Sequence, residues 1–377
     1  MRSEPDHKST ETPKILIEAD SGSVSVADLQ RQITPEWLST ALAERYPGVA
    51  VESASFGRIV AGCSVKLWMD LKYNEAGRLA ELPAVMVVKA GFARHSPIML
   101  FTYESEMSAY RDVLPRFPIN APQCFYAGKS PDGQSAAIII EDLTPRRPTF
   151  CHALRPLNYE QARSFVTALA VFHSRTWNHP CLADGSFGWA RWQATTRAGL
   201  AAYFSSLVEP KTWAQYMALP RGCAVSKMFH DRDRFLEAFG RLEGRSAQQP
   251  QVILMGDSHL GNLYLEEDGT PGFLDFQCRI ASWSQEVAYF IGAALDMVDR
   301  RAWERDLLEA YLDTLARRGV RAPAFADAWQ SYREHLLFGL FVWLTNGVEF
   351  QTESVNTANA ARLGHAAIEN DTWQLLN

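Results

Sequence analysis

Met255-Gly256-Asp257-Ser258-His259-Leu260-Gly261-Asn262, followed by Leu274-Asp275-Phe276-Gln277, is the stretch that decides how the chain is read. Asn262 stands five positions after Asp257, and Asp275 thirteen after Asn262. Short apolar runs flank both motifs: Val252–Leu254, Leu263–Leu265 and Gly272–Phe276. These predict strand–turn units, so the polar residues would project from a rigid base. Asp, Ser, Gly and Asn also favour ordinary turns, so a polar hairpin loop explains the first motif taken alone. A carboxylate closing an apolar strand is costly unless it is paired or bound to a metal. Mg²⁺ accepts one or two protein oxygens and leaves room for phosphate oxygens. Asn262 and Asp275 together suit that role better than either does alone.

Outward from this stretch, the chain changes character twice. Residues 1–25 are polar and read as a flexible N-terminal segment. Thr34-Pro35-Glu36-Trp37 predicts a helix start, with Thr34 as cap and Pro35 in the first turn. Val51–Ile59 and Ser64–Tyr73 read as strands, the second with Val65, Leu67, Met69 and Leu71 alternating. Ala84–Lys89 and Ala136–Ile140 are further strands, and Tyr103–Leu114 is a helix. The Pro- and Arg-rich stretch from Thr144 to Thr149 is a connector. Beyond it the pattern is helical: Tyr159–Trp177, then most of residues 195–245 and 300–375. Leu336–Leu344 is apolar but too short to span a bilayer, which takes about 20 residues, and reads as a buried helix.

The chain has 377 residues, 47% hydrophobic and 21% charged, with a net charge of −6. That length suits two lobes rather than one core. A negative balance counts against a general nucleic-acid binder. The six cysteines are dispersed, with no C-x-x-C and no zinc spacing, as for free thiols in a reducing compartment. The N-terminus lacks the apolar run of a secretory signal, so the expected location is cytoplasmic.

Phosphoryl transfer needs phosphates held, metals placed and a base aimed at the attacking hydroxyl. Protein kinases place base and metal ligand at D-x-x-x-x-N, the offset of Asp257 and Asn262. Lys89 closes the apolar run Val85–Lys89, as the phosphate-contacting lysine of V-A-I-K does, although a strand-end lysine can simply snorkel to solvent. Glu106 is a candidate helix partner for it, with Glu104 as competitor. Gly57 to Ser64, including Gly62 and Ser64, forms a strand–turn–strand able to cover phosphates with backbone N–H groups, as an ordinary hairpin also could. Each piece is common. Their order along the chain is that of a kinase: glycine hairpin, lysine, glutamate, strand with hinge, Asp-x-x-x-x-Asn, then aspartate.

At these residues the sequence resembles the aminoglycoside phosphotransferase and choline kinase superfamily, closest to its ecdysteroid-kinase-like (CHK-kinase-like) group. The loop resembles H-G-D-x-H-x-x-N, and Leu274–Gln277 the metal-binding I-D-F/W-Q run. Ile138–Leu143, Glu106 with Tyr110, and Leu169–His173 with Trp177 also fit. The resemblance implies an α+β, bilobal protein-kinase-like fold with a small β-rich N-lobe and a large, mostly helical C-lobe. The expected division is a nucleotide-binding N-lobe over 26–143, a hinge over 144–149, and a helical lobe over 150–377 with the catalytic loop and acceptor site. It implies ATP and Mg²⁺ as cofactors and a small-molecule hydroxyl as substrate. Asp257 would be the base, and Asn262 and Asp275 the metal ligands. Lys89 would contact ATP phosphates, Glu106 would orient Lys89, and the Glu141–Leu143 backbone would meet the adenine edge. His259 would support the loop. Two departures stand out: Met255 replaces the family's first loop histidine, and Glu286 replaces an aspartate at the start of the following helix.

For the acceptor, the aromatic-rich C-terminal half favours an alcohol or phenol on a largely apolar scaffold. Trp177, Trp189, Trp192, Tyr203, Phe204, Trp213, Tyr216, Trp283, Trp303, Trp329, Trp343 and Trp373 are mostly expected in the core. Glu349 and Glu353, four apart, are the best acidic pair for a polycationic sugar, and equally a solvated helix face. Two other functions compete with a kinase. Met255 allows a nucleotide-binding pseudokinase acting as a regulatory or partner-binding module. Asp257, His259 and Asp275 allow an unrelated metal-dependent hydrolase.

Overall fold

The computed structural model describes residues 17–18, 26–92, 96–191 and 200–377. The expected flexible segment, residues 1–25, lies outside them apart from Ile17–Glu18, as does Trp192. The chain divides into two compact units: Met1–Ser96 with Cys124–Asp142, and Pro97–Gln123 with Leu143–Asn377. One boundary falls at Asp142/Leu143, beside the expected hinge. The segment Pro97–Gln123, which carries Glu106, groups with the second unit.

The first unit is built on a six-stranded sheet of order β1-β2-β3-β4-β6-β5. Its strands are β1 (Ile17–Glu18), β2 (Val51–Val60), β3 (Val65–Tyr73), β4 (Val85–Ala90), β5 (Cys124–Lys129) and β6 (Ala136–Glu141). All pairs are antiparallel except β1 with β2. Helices α1 (Val26–Gln32), α2 (Pro35–Ala43) and α3 (Glu75–Leu79) complete it. Thr34 caps α2, its hydroxyl accepting the Trp37 N–H at 3.2 Å. The alternation in β3 buries Val65, Leu67, Met69, Leu71 and Tyr73 on one face, against Leu38 and Leu42 of α2 in one apolar core. The strand expectations for β2, β3, β4 and β6 hold to within a residue or two. β5 was not foreseen: Gly128 interrupts a six-residue strand that offers little periodicity.

The second unit begins with α4 (Leu100–Ser108), which runs on into a π-helical turn at Ala109–Val113. It continues with β7 (Thr149–Phe150), α5 (Tyr159–Ser174), α6 (Leu200–Leu207), α7 (Pro210–Ala218), α8 (Pro220–Cys223), α9 (Arg232–Ser246), β8 (Gln251–Leu254), β9 (Leu263–Leu265), β10 (Pro271–Phe273) and β11 (Arg279–Ser282). Helices α10 (Trp283–Ala294), α11 (Met297–Arg317), α12 (Phe325–Thr345), α13 (Glu353–Glu369) and α14 (Thr372–Leu376) close the chain. Leu336–Leu344 lies within α12, and most of its residues are buried as expected. Among the described residues, no helix is long and apolar enough to cross a membrane. All six thiols are free, but only Cys181 and Cys278 are buried.

One expectation is corrected here. Val252–Leu254 and Leu263–Leu265 do not form a strand–turn unit. β8 pairs with β11, while β9 sits between β10 and β7 in a separate sheet. The segment between them crosses from one sheet to the other. Gly256 makes the exit possible, with φ of +99° and the Gln277 carbonyl where a Cβ would be, 1.9 Å away. Only glycine fits both conditions.

Candidate active site

The crossing segment Met255–Asn262 carries the polar residues singled out in sequence, and its backbone is held by a buried carboxylate. Glu286, in the first turn of α10 and 2% exposed, accepts the Met255 N–H at 3.0 Å and the Gly256 N–H at 2.6 Å. His173 of α5, fully buried, donates from Nε2 to the same carboxylate at 2.8 Å, and its Nδ1 accepts from the Tyr311 hydroxyl at 2.8 Å. A buried charge is tolerated when its lone pairs are taken up in this way. The substitution of glutamate for the family's aspartate therefore keeps a tether on the loop. Met255 is fully buried and adds packing only.

Asp257 leaves this anchored backbone with its side chain about one-third exposed, at 34%. Its carboxylate is gripped from two sides. Oδ2 accepts from Asn262 Nδ2 at 3.0 Å, and Oδ1 from the Tyr289 hydroxyl at 3.1 Å. The same Asn262 amide nitrogen also donates to the Asp257 carbonyl at 2.9 Å. Burial pushes the Asp257 carboxyl up, but His259, the Tyr289 hydroxyl and the Arg279 guanidinium outweigh it and hold it below the usual carboxylate range. Burial, then the Asp257 charge, holds the Tyr289 phenol well above its ordinary value, so it stays a donor.

His259 is 6% exposed. Its Nδ1 accepts the Gly261 N–H at 3.0 Å, so the ring proton sits on Nε2, 3.6 Å from Asp257 Oδ2. The Trp343 ring meets its face edge-on at 5.1 Å. It is a hydrogen-bonded loop residue, placed as a support.

Asn262 and Asp275 are joined through the β9–β10 hairpin that the thirteen-residue spacing leaves room for. The Leu274 N–H returns to the Asn262 carbonyl at 2.8 Å. Asp275 follows in the left-handed region, with φ of +54°. A non-glycine residue held there is strained by about 1–3 kcal/mol, and such strain clusters at functional sites. With Asn262 Nδ2 occupied by Asp257, its Oδ1 is the atom free to ligate. Two hard oxygens on adjoining backbone fit Mg²⁺, which draws its remaining ligands from phosphate and water. Among the described residues, no group of three or more His, Cys, Asp and Glu side chains could hold a metal ion, as the hydrolase alternative would need.

α4 packs on the backbone just past Asp275. Tyr110 meets Phe276 edge-to-face at 5.6 Å, Gln277 Nε2 donates to the Thr102 carbonyl at 3.3 Å, and Ser105 Oγ to the Cys278 carbonyl at 3.4 Å. Glu106 on this helix is 5% exposed. Leu143, also in the second unit, is buried. In the first unit, Lys89 is 4% exposed on β4, in register with Lys66 of β3 and Ile138 of β6. Gly62 and the buried Ser64 lie in the short link from β2 to β3, and Glu141 ends β6.

Sequence reasoning gave Tyr289, His173, Tyr311 and Arg279 no role at the loop. One signal was available. α10 is buried almost all round, so its polar residues must find partners, and Glu286 and Tyr289 are three apart on one face. Glu349 and Glu353, the acidic pair weighed for a polycationic sugar, do not share a helix face. Glu349 precedes α13 rather than lying on it, and Glu353 is paired with Arg221, whose Nε donates to it at 3.0 Å.

A β-sheet unit holding a buried strand-end lysine, and a helical unit holding an Asp-x-x-x-x-Asn loop and a hairpin aspartate, define a kinase-like fold of the small-molecule type. A model of the ecdysteroid kinase-like family matches residues 64–321, well over half of the chain, and the protein belongs to that family. Among solved structures it is similar to an ethanolamine kinase from Plasmodium vivax, with TM-score 0.51 and 11% identity over 84% of this chain and 82% of that one. It is also similar to aminoglycoside 2'-phosphotransferase-IIIa in complex with GDP, with TM-score 0.50 and 13% identity over 89% of this chain and 99% of that one. At such identities the likeness is one of fold. A comparison with curated protein sequences finds no match.

Proposed function

We propose that the protein is an ATP- and Mg²⁺-dependent phosphotransferase acting on a hydroxyl of a small, largely apolar alcohol or phenol. The observation that carries this is the grip on Asp257: a carboxylate kept ionised, partly open to solvent, and aligned by Asn262 and Tyr289. An ionised carboxylate so placed can accept the proton of an attacking hydroxyl. Asn262 and Asp275 hold the metal, which supplies charge neutralisation on the phosphates when bound. Lys89 and the Gly62–Ser64 link take the phosphates, and the backbone of Glu141 and Leu143 takes the adenine edge. Glu106 is the carboxylate that the family resemblance pairs with the lysine. Aromatic rings pack on the groups that hold Asp257, Phe338 on Tyr289 and Trp343 on His259, and the Arg279 guanidinium stacks 4.7 Å over the Phe338 ring. A cation beside the base disfavours a polycationic acceptor, and Arg221 has already taken up Glu353.

The test is ADP release from Mg-ATP with ethanolamine, choline, kanamycin, an ecdysteroid, a simple phenol and a long-chain alcohol as acceptors. The apolar hydroxyl compounds should turn over, and Asp257→Ala should lower kcat by about 10²–10⁴-fold. Good turnover of kanamycin with none of the apolar compounds would overturn the acceptor class. Full activity in Asp257→Ala would overturn the base. Mg-ATP binding with no turnover of any compound would mark a regulatory nucleotide-binding module instead.

A further inference from the structure

We propose that Tyr289 is a positioning residue for phosphoryl transfer, holding the Asp257 carboxylate in the one orientation that lets it take the acceptor proton. This rests on the phosphotransferase reading above. In that step the acceptor O–H proton passes to the Asp257 carboxylate while the acceptor oxygen bonds to the γ-phosphorus. The bond from that phosphorus to the β–γ bridging oxygen breaks, and ADP leaves with the electron pair.

A carboxylate on two freely rotating bonds needs both oxygens fixed if one lone pair is to face a substrate. Asn262 fixes Oδ2 from within the loop, at 3.0 Å. Oδ1 is fixed from outside the loop, by a hydroxyl on α10 at 3.1 Å. That hydroxyl cannot wander. Tyr289 is 2% exposed, and the Phe338 ring meets it edge-on at 6.0 Å. Behind it, a Cβ on Gly339 would stand 2.8 Å from Leu363 Cδ2 and 2.9 Å from Tyr289 Cδ2, so the bare glycine leaves room for both side chains. The same helix turn anchors the loop backbone through Glu286, three residues earlier. One turn of α10 therefore sets both where the loop runs and which way its carboxylate points. Phe at position 289 would keep the ring and its volume in the core. The hydroxyl is the part that packing does not require.

The experiment is a double-mutant cycle on the full chain, using the panel compound that turns over fastest, with basal Mg-ATP hydrolysis alongside. Tyr289→Phe should lower kcat about tenfold, as for loss of a hydrogen bond to a charged group, while KM for Mg-ATP and its calorimetric Kd stay within about twofold. In the Asp257→Ala background the same change should have no further effect on kcat. Gly339→Ala, which crowds the Tyr289 ring and Leu363 but keeps the hydroxyl, should lower kcat in the same direction and serves if Tyr289→Phe folds poorly. Wild-type kcat in Tyr289→Phe, or an equal loss in both backgrounds, would overturn the positioning role and leave the enzyme assignment standing. A wild-type protein inactive on every compound would overturn the phosphotransferase reading, and this role with it.

Discussion

Glu286 and Arg221 are both charges buried in the helical unit, and both hold main chain, but with opposite polarity and to different ends. Glu286 accepts N–H groups from Met255 and Gly256, where the chain leaves β8 and enters the Met255–Asn262 loop. Arg221 donates to carbonyls at the end of α12, those of Trp343, Leu344 and Asn346, and to the Glu353 carboxylate at the start of α13. It thereby closes one helix and opens the next. Helix ends leave carbonyls and N–H groups without intrahelical partners, and a single guanidinium with its carboxylate serves both. The difference teaches where buried charge is spent on stability and where on shape. At α12 the backbone would be helical without Arg221. At residues 255–257 no regular element dictates the path, so the carboxylate defines it.

This contrast can be broken experimentally. Arg221→Ala should give the largest loss, about 4 kcal/mol in urea unfolding, because three carbonyls lose their donor and Glu353 keeps only the residue-221 N–H and the Thr357 hydroxyl. Activity per folded molecule should survive it. Glu286→Ala should cost less, about 3 kcal/mol, for two buried N–H groups and His173 left without an acceptor. Here activity should fall even at temperatures where the variant is folded. If Arg221→Ala removed activity as fully as Glu286→Ala does, the division of labour would be wrong.

A third buried group sharpens the comparison because it is neutral. His335 on α12 is 1% exposed. Its Nδ1 is 2.8 Å from the Ser331 carbonyl and 3.0 Å from Ser284 Oγ, and burial lowers its pKa from 6.5 to about 4. Between those values the unfolded chain binds a proton that the native protein does not. Stability is then complete above about pH 6.5 and is lost progressively as pH falls toward 4, by up to about 3 kcal/mol. Melting temperature followed through that window should drop, and His335→Gln should flatten the dependence. An equal drop in the variant would assign the acid sensitivity elsewhere.

The elements that were legible from sequence are those with a local signal. Alternation revealed β3, a β-branched run β6, and a Thr-Pro pair the start of α2, because pleat, burial and capping act over a few residues. The offset of Asp257 from Asn262, and room for a hairpin before Asp275, were equally local. Together with the order of the glycine hairpin, Lys89 and the hinge along the chain, they pointed to the kinase-like class, and the family resemblance then named the proposed base and metal ligands. What the chain could not announce was partnership across distance. β8 pairs with β11 rather than β9, because Gly256 turns the chain out of one sheet and into another. His173, Glu286 and Tyr311 meet across 138 residues, and Tyr289 reaches Asp257 from a helix buried on nearly every side, where apolar periodicity carries no direction. Glu353, taken from sequence as part of an acidic face, is neutralised by Arg221 from 132 residues away. The sequence thus determined which groups are available for chemistry. Only the packing of α5, α10 and α12 decided which of them hold the loop, since a buried polar group takes whatever partner the tertiary fold brings within about 3 Å.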